Sequence, residues 1–427
     1  MFASQEALHL RLFCTHGMSL AVSRALDCWP TIPISVMYGG SPALDPPGLE
    51  DDDDIVAALK RPDRVRSIHL TLTRSLLTKV SSIDSTFSEL QELVLLSLDD
   101  VQLTLPSTFR WGPHLRTLHA TRVGIPALPQ LLSSSKDLVD IQLQEIPGIG
   151  YFSPKSFRNS LSGISRLRSL SLHFLSAVDY VGVVHPPSGE RVLLPALTHL
   201  KYCGASEYLD SLVARVDAPL LCNIEITFFD EFLFDVCNLS ELIDRMDRTR
   251  SCRQAEIVFA DHSVSISLTQ PTPTCLKLEV VSEPLLRRQL FSLVQICRRF
   301  SAFLWRVEDL SFRDIRSPTK HDGAVQWRDL IRLFRGTKWL RVIGNFSTDI
   351  VLALHQPSRR GGETFLPAMH KLCIQEPEPH CAPSSLRMAV ESLMNSRRLL
   401  GHFIGVEYER LWADEPREIG IIICDFY

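Results

Sequence analysis

Among its eleven cysteines the sequence holds no C-x-x-C pair, which removes the commonest zinc and thiol–disulfide modules. It also has no run approaching the ~18–20 uncharged apolar residues that span a bilayer, so no membrane partner is expected. The first 21 residues carry Glu6, His9, Arg11 and His16 where a secretion signal needs an apolar stretch. Two N-x-S sequons, at Asn238 and Asn345, therefore have no secretory context. Cys203, Cys222, Cys252, Cys275 and Cys373 fall in or beside predicted strands as small hydrophobes, which points to a reducing compartment, cytoplasmic or nuclear. A surplus of positive charge is missing too. With 45 Lys and Arg against 49 Asp and Glu, the net charge is −4, and counterion release from nucleic acid needs clustered bases. No nucleic-acid partner is expected.

The motifs of catalysis are equally absent. G-x-x-x-x-G-K-[ST], G-x-G-x-x-G, G-x-S-x-G and H-E-x-x-H do not occur. Cys373, His380 and Cys381 come nearest to a metal cluster, but Cys-x6-His-Cys fits no common zinc module and a fourth ligand is lacking. No catalytic residue, metal or cofactor is expected, and the chain does not read as an enzyme.

What the sequence has in abundance is L-x-x-L-x-L. Clear copies start at Leu90, Leu138, Leu167, Leu221 and Val307, and weaker ones at Val65, Leu115, Leu197, Cys252, Cys275, Leu340 and Met369. Successive starts lie 23–33 residues apart, the period of an irregular leucine-rich repeat. Each start reads as a short strand with apolar and polar residues alternating. Helices are predicted at Ser206–Val216, Leu239–Met246, Pro284–Phe300, Trp327–Phe334 and Leu386–Met394, where apolar residues recur at i, i+3, i+4 and i+7. The Pro-rich connectors Leu105–Ser107 and Ile125–Pro129 are expected to be non-helical. The expected fold class is α/β: an irregular leucine-rich-repeat solenoid, with a parallel sheet on the concave face and helices and loops on the convex face.

Regular arrays of this kind stack Asn in the turn three residues past the motif. Here those positions hold Leu98, Val123, Ile146, Leu175, Phe229 and Ile315, so the turn N–H groups must pair otherwise. Residues 1–60 are expected as an N-terminal cap with an acidic loop, and residues 61–427 as the array. Gly39 to Asp54 reads as loop; its acidic run, Glu50 to Asp54, leads into a helix over Ile55–Leu59 and lends that helix N-terminus negative charge. Asn238 to Val281 reads either as regular array or as an inserted hairpin.

The x positions of the motif point from the strands toward the concave face. They place Arg66, His69, Glu92, Arg116, His119, Asp140, Arg168, His199, Lys201, Glu225, Glu308, Asp309 and Lys371 there as candidate partner-binding residues. Arg253, Glu256, Lys277, Glu279, Arg341 and His370 join them. Signs are mixed, with no basic stripe, which suits a protein partner read by a mosaic of charge.

Several phrases carry a family likeness: Phe87-Ser88-Glu89-Leu90-Gln91-Glu92-Leu93, Leu105-Pro106-Ser107-Thr108-Phe109, Leu194-Pro195-Ala196-Leu197-Thr198-His199-Leu200 and Phe303-Leu304-Trp305-Arg306-Val307-Glu308-Asp309-Leu310. In this order the chain resembles the F-box proteins of mushroom-forming fungi that carry irregular leucine-rich C-terminal regions. The resemblance implies a substrate receptor of a Skp–cullin–F-box ubiquitin ligase. Such a receptor binds a protein substrate, and binds a Skp-type adaptor through an F-box ahead of the repeats. Here Glu6 to Leu12 looks like the stretch just after an F-box, so adaptor binding is expected only where an F-box lies upstream. The alternative is a free-standing leucine-rich scaffold or decoy. Gln295-Ile296-Cys297-Arg298-Arg299-Phe300 looks like the end of an F-box but sits between two repeat strands. It is read as amphipathic helix with Leu290, Val294 and Cys297 inward.

Overall fold

Strands form where apolar and polar residues alternate, because period two sends every second side chain to the same face. The computed structural model describes residues 10–13, 24, 26–29, 31–38, 49–98, 103–175, 191–229, 234, 236–246, 251–269, 274–282, 285–316, 327–355, 365–376 and 384–410. The chain is mixed α/β with a large, mostly parallel sheet. It divides into two units, Met1–Gly204 with Ser211–Leu221, and Ala205–Asp210 with Cys222–Tyr427.

In the first unit the strands are β1 (Leu10–Phe13), β2 (Ile34–Tyr38), β3 (Val65–Leu72), β4 (Glu92–Ser97), β5 (Thr117–Thr121), β6 (Asp140–Ile146), β7 (Ser169–Phe174) and β8 (His199–Gly204). They lie side by side in chain order, each parallel to the next. Register makes the pattern explicit. Ile68, Leu93, Leu118, Ile141, Leu170 and Leu200 pair laterally into one row, and all are buried. A second buried row runs Leu70, Leu95, Ala120, Leu143, Leu172 and Tyr202. These are the last two apolar positions of the motif. The helices between strands are α1 (Leu49–Leu59), α2 (Arg74–Ser81), α3 (Leu128–Ser134) and α4 (Pro154–Leu161). Thr73 caps α2, its side chain accepting from the Leu76 N–H at 3.2 Å, and Ser153 caps α4, accepting from the Ser156 N–H at 3.1 Å.

The turns without Asn satisfy their backbone along the sheet. The Leu175 N–H donates to Ile146 O at 3.1 Å, and in the second unit the Ile315 N–H donates to Phe259 O at 2.9 Å. At the strand entries a second ladder runs from Gln91 N–H to Arg66 O, Arg116 N–H to Gln91 O, Val139 N–H to Arg116 O and Arg168 N–H to Val139 O, each at 2.8 Å.

The second unit has β9 (Asn223–Phe228), β10 (Gln254–Ala260), β11 (Ser263–Thr269), β12 (Thr274–Val281), β13 (Asp309–Asp314), β14 (Trp339–Ile343), β15 (Lys371–Glu376) and β16 (Gly405–Arg410). Their spatial order is β9-β12-β11-β10-β13-β14-β15-β16. Strand β11 is antiparallel to both β10 and β12. Of the two readings of 238–281, the structure takes the inserted hairpin, closed by the two residues Asp261 and His262 between the paired Ala260 and Ser263. Parity survives the reversal: Ile226, Leu278, Ile266, Ile257, Phe312, Val342 and Ile374 form one buried row across β9 to β15. The helices are α6 (Cys237–Arg245), α7 (Leu286–Arg299), α8 (Ser301–Leu304), α9 (Trp327–Ile331), α10 (Ser347–His355) and α11 (Ser384–Leu399), while α5 (Ser206–Val213) carries the boundary between units. Helix α6 has no local side-chain cap. Buried Asp210 supplies one from α5, accepting from the Leu239 N–H at 3.0 Å and Asn238 Nδ2 at 2.6 Å.

Three expectations need correction. The acidic run is not loop: α1 begins at Leu49, and Asp52 and Asp54 are buried. Ser75 Oγ donates to Asp52 at 2.6 Å, and Lys79 reaches Asp53 at 2.7 Å, so part of the run binds α2. The connector at Ile125–Pro129 is not wholly irregular, since Pro129 sits in the first turn of α3, where its missing N–H costs nothing. The Leu340 repeat is framed three residues late: Leu340 pairs with Leu310, the middle apolar position, so Thr337 occupies the first one. The metal reading cannot be placed in full, because His380 and Cys381 lie outside the described residues; Cys373 is buried. Helix α7 has Leu290, Val294 and Cys297 buried, as its spacing requires. Among the described residues no helix is long and apolar enough to cross a membrane.

Candidate functional site

Opposite each buried row lies a row of polar side chains, and most of the candidate residues stand in these rows. In the first unit, register aligns Ser67, Glu92, Thr117, Asp140, Ser169 and His199 across β3–β8, with His69, Val94, His119, Gln142, Ser171 and Lys201 beside them. Arg66, Arg116 and Arg168 stand at strand entries; Arg116 and Arg168 are exposed, the Arg66 and Arg116 carbonyls accept in the ladder described above, and Arg168 O accepts from the Thr198 N–H at 2.9 Å.

Neighbouring strands bring acids and histidines together. His69 Nε2 lies 3.0 Å from Glu92 Oε2, and Ser67 Oγ donates to the same oxygen at 3.1 Å. His119 Nε2 lies 2.7 Å from Asp140 Oδ2, to which Gln142 Nε2 also donates at 2.9 Å. His199 Nδ1 is 2.8 Å from Thr198 Oγ1, and His199 and Lys201 are exposed. Burial pushes the pKa of Asp140 up, but His119 and the neighbouring Ser169 and Gln142 outweigh it and hold the carboxyl below its ordinary value. Burial also holds His173 below the usual imidazole value, with Glu145 opposing and Lys201 reinforcing it.

A pH-dependent result follows. A carboxylate with a lowered folded pKa stabilises the fold above its unfolded pKa, about 3.9, and that contribution is lost as pH falls through the folded value. Asp140→Asn is expected to cost about 1 kcal/mol at pH 7, the scale of a charge-assisted hydrogen bond on a half-buried surface. Wild type and variant should converge only as pH falls through that folded value, which lies below about 3.9. Melting midpoints of both proteins at pH 7 and at about pH 2 decide it; a gap undiminished at about pH 2 would exclude the ionised pair as its source.

The second unit carries a charge lattice of its own. Glu308 stands 2.8 Å from Lys338 and 3.7 Å from Arg253, and hydrogen bonding by Lys338 holds its carboxyl below the ordinary value. Asp309 Oδ2 accepts from Gln254 at 3.2 Å. Arg313 pairs with Glu256 at 2.8 Å, Lys277 with Glu279 at 3.1 Å, and Glu225 aligns with Lys277. Lys371 pairs with Glu407 at 2.9 Å and lies 5.1 Å from the ring centroid of Trp339. That Trp is 51 % exposed, and its indole N–H donates to His370 Nε2 at 2.8 Å.

Trp339 and Arg313 lie outside the x positions of the motif, while Gln142 occupies one and carries no charge to single it out. Trp339 escaped because the Leu340 frame starts one residue after it; the signal was the W-L-R-V-I alternation itself. Each face can bind by charge and hydrogen bonds, but among the described residues neither assembles a nucleophile with a base and an orienting acid. Among the described residues no group of three His, Cys, Asp or Glu could hold a metal ion. The chain matches no family model, and no curated protein matches it.

Proposed function

We propose that the chain is an irregular leucine-rich-repeat array that recognises a protein through the polar sheet faces, in the manner of the substrate receptor of a Skp–cullin–F-box ligase. The observation that carries this is register. Every described motif strand sends its apolar pair to one side, leaving rows of polar and charged side chains on the other. On such a surface an exposed Trp flanked by Lys371, His370 and Arg341 has the composition of a binding hot spot. The receptor holds its target for a separate enzyme, so its contribution is proximity and not a reacting group.

Two measurements on the purified chain test this. Proteins retained from a cell extract should fall at least about tenfold with Trp339→Ala/Lys371→Glu, the loss of one hot-spot anchor and its charge. Retention of the same proteins at the same level by both forms would remove the sheet face from the proposal. Stoichiometric co-purification with a Skp-type adaptor separates the ligase receptor from the free-standing scaffold.

A further inference from the structure

Helix α7 buries one side, including Leu286, Leu290, Leu293, Val294 and Cys297, and turns the other outward. The outward stripe is Arg287, Arg288, Phe291, Arg298 and Arg299, at the i, i+1, i+4, i+11 and i+12 positions of a 3.6-residue period. The helix contains no acid, although the whole chain has a net charge of −4. We propose that this stripe docks an acidic segment of a partner protein, at a place separate from the sheet faces.

Folding does not account for the pattern. Arg298 and Arg299 in the last turn complement the helix dipole, but Arg287 and Arg288 stand in the first turn, where positive charge opposes it. A helix shaped by stability alone would carry Asp or Glu there. The basic groups from residue 285 to 316 are all Arg and never Lys, the side chain whose planar fork meets a carboxylate through two parallel N–H bonds. A carboxylate already lies against this stripe: Asp329 of α9, which packs beside α7, lies 3.1 Å from Arg298 and 3.6 Å from Arg332, one contact to each. Phe291, 49 % exposed between the two arginine pairs, offers an apolar contact for one side chain of the visitor. A single large apolar group is too little for burial in a lipid interface. The acid in the same surface interrupts the continuous positive potential that nucleic acid requires.

The test uses the full chain and a fluorescein-labelled ten-residue Asp/Glu peptide containing one Leu, read by anisotropy. Wild type should bind; R287E/R298E should weaken binding at least about tenfold, since it reverses two guanidinium contacts. R287K/R298K should weaken it about threefold or more, because charge is kept and the fork is lost. R287E alone should weaken binding while leaving the melting midpoint equal or higher, since it puts an acid in the first turn. That pairing separates docking from unfolding. The proposal fails if wild type does not bind, or if R287E/R298E binds as tightly as wild type. It also fails if the Lys variant is indistinguishable from wild type, or if duplex DNA or phosphatidylserine vesicles bind wild type more tightly than the peptide does.

Discussion

Trp327→Ala is expected to lower the unfolding free energy of the second unit by about 3–5 kcal/mol, the cost of emptying a large aromatic site in a packed core. Trp327 is 1 % exposed, and its ring centroid lies 5.5 Å from Phe259, 5.8 Å from Phe312 and 5.0 Å from Phe346. Phe259 and Phe346 are themselves 5.4 Å apart. The cluster joins β10 of the inserted hairpin to β13 and to the residue before α10. Its loss therefore removes tilted and edge-on ring contacts from three elements at once. The indole N–H of Trp327 is buried without an acceptor. Trp327→Phe gives up volume but also removes that unpaired donor, so it should cost only about 1–2 kcal/mol. Urea denaturation followed by circular dichroism measures both. A Trp327→Ala shift under about 1 kcal/mol would mean that the site collapses easily and is not the centre of this core.

Trp327 also shows what could be read from the chain and what could not. Its place at the head of an i, i+3, i+4, i+7 series marked it as core, and the strand at Val307 was equally plain from Val307, Leu310 and Phe312. Alternation was enough there because burial of one face decides register. It failed where another residue stood in for Leu. Thr337 is fully buried in the first motif position, its hydroxyl without a partner, and a pattern search for apolar residues starts three residues late at Leu340. The shift hid Trp339, the most exposed aromatic of the candidate face. The hairpin was open for a different reason. Parity is the same for a parallel or an antiparallel strand, so the alternation around Ile257 and Ile266 does not tell which way the second strand runs. The acidic run misled because local charge favours loop, whereas the structure pairs Asp52 and Asp53 with Ser75 and Lys79, more than twenty residues away. The site residues were visible as types at x positions. Which of them meet, as His119 meets Asp140, depended on the lateral register that only the folded sheet supplies.

At Arg397 the substitution that keeps the charge is expected to be the worse one. This residue lies in the last turn of α11 and is 1 % exposed; burial pushes its guanidinium below the ordinary value. Nη1 donates to Leu366 O at 3.2 Å, and Nη2 donates to Phe365 O. Leu366 has φ 49°, in the left-handed region that L side chains avoid, so the clamp holds a strained turn. The backbone around Arg397 is separately secured: Gly401, at φ 77°, donates to Arg398 O at 3.0 Å, and His402 donates to Arg397 O at 2.9 Å, which closes the helix. Side-chain substitutions therefore test the clamp and not the helix end. Arg397→Met removes the donors and orphans Phe365 O, while Leu366 O keeps the Met369 N–H at 3.1 Å. It also relieves the burial of a charge, so the net loss should be about 2 kcal/mol. Arg397→Lys keeps a buried charge but cannot span both carbonyls with a planar fork, and should lose about 3–5 kcal/mol. The order reverses the usual ranking of conservative changes, and pH distinguishes its cause. A buried ammonium has a folded pKa below its unfolded value near 10.4, so the unfolded chain binds more protons and stability rises with pH. The gap between the Lys and Met variants should therefore narrow from pH 7 toward pH 10 in urea titrations. A gap that stays constant, or a Lys variant more stable than Met at pH 7, would show that charge burial is not what the clamp opposes.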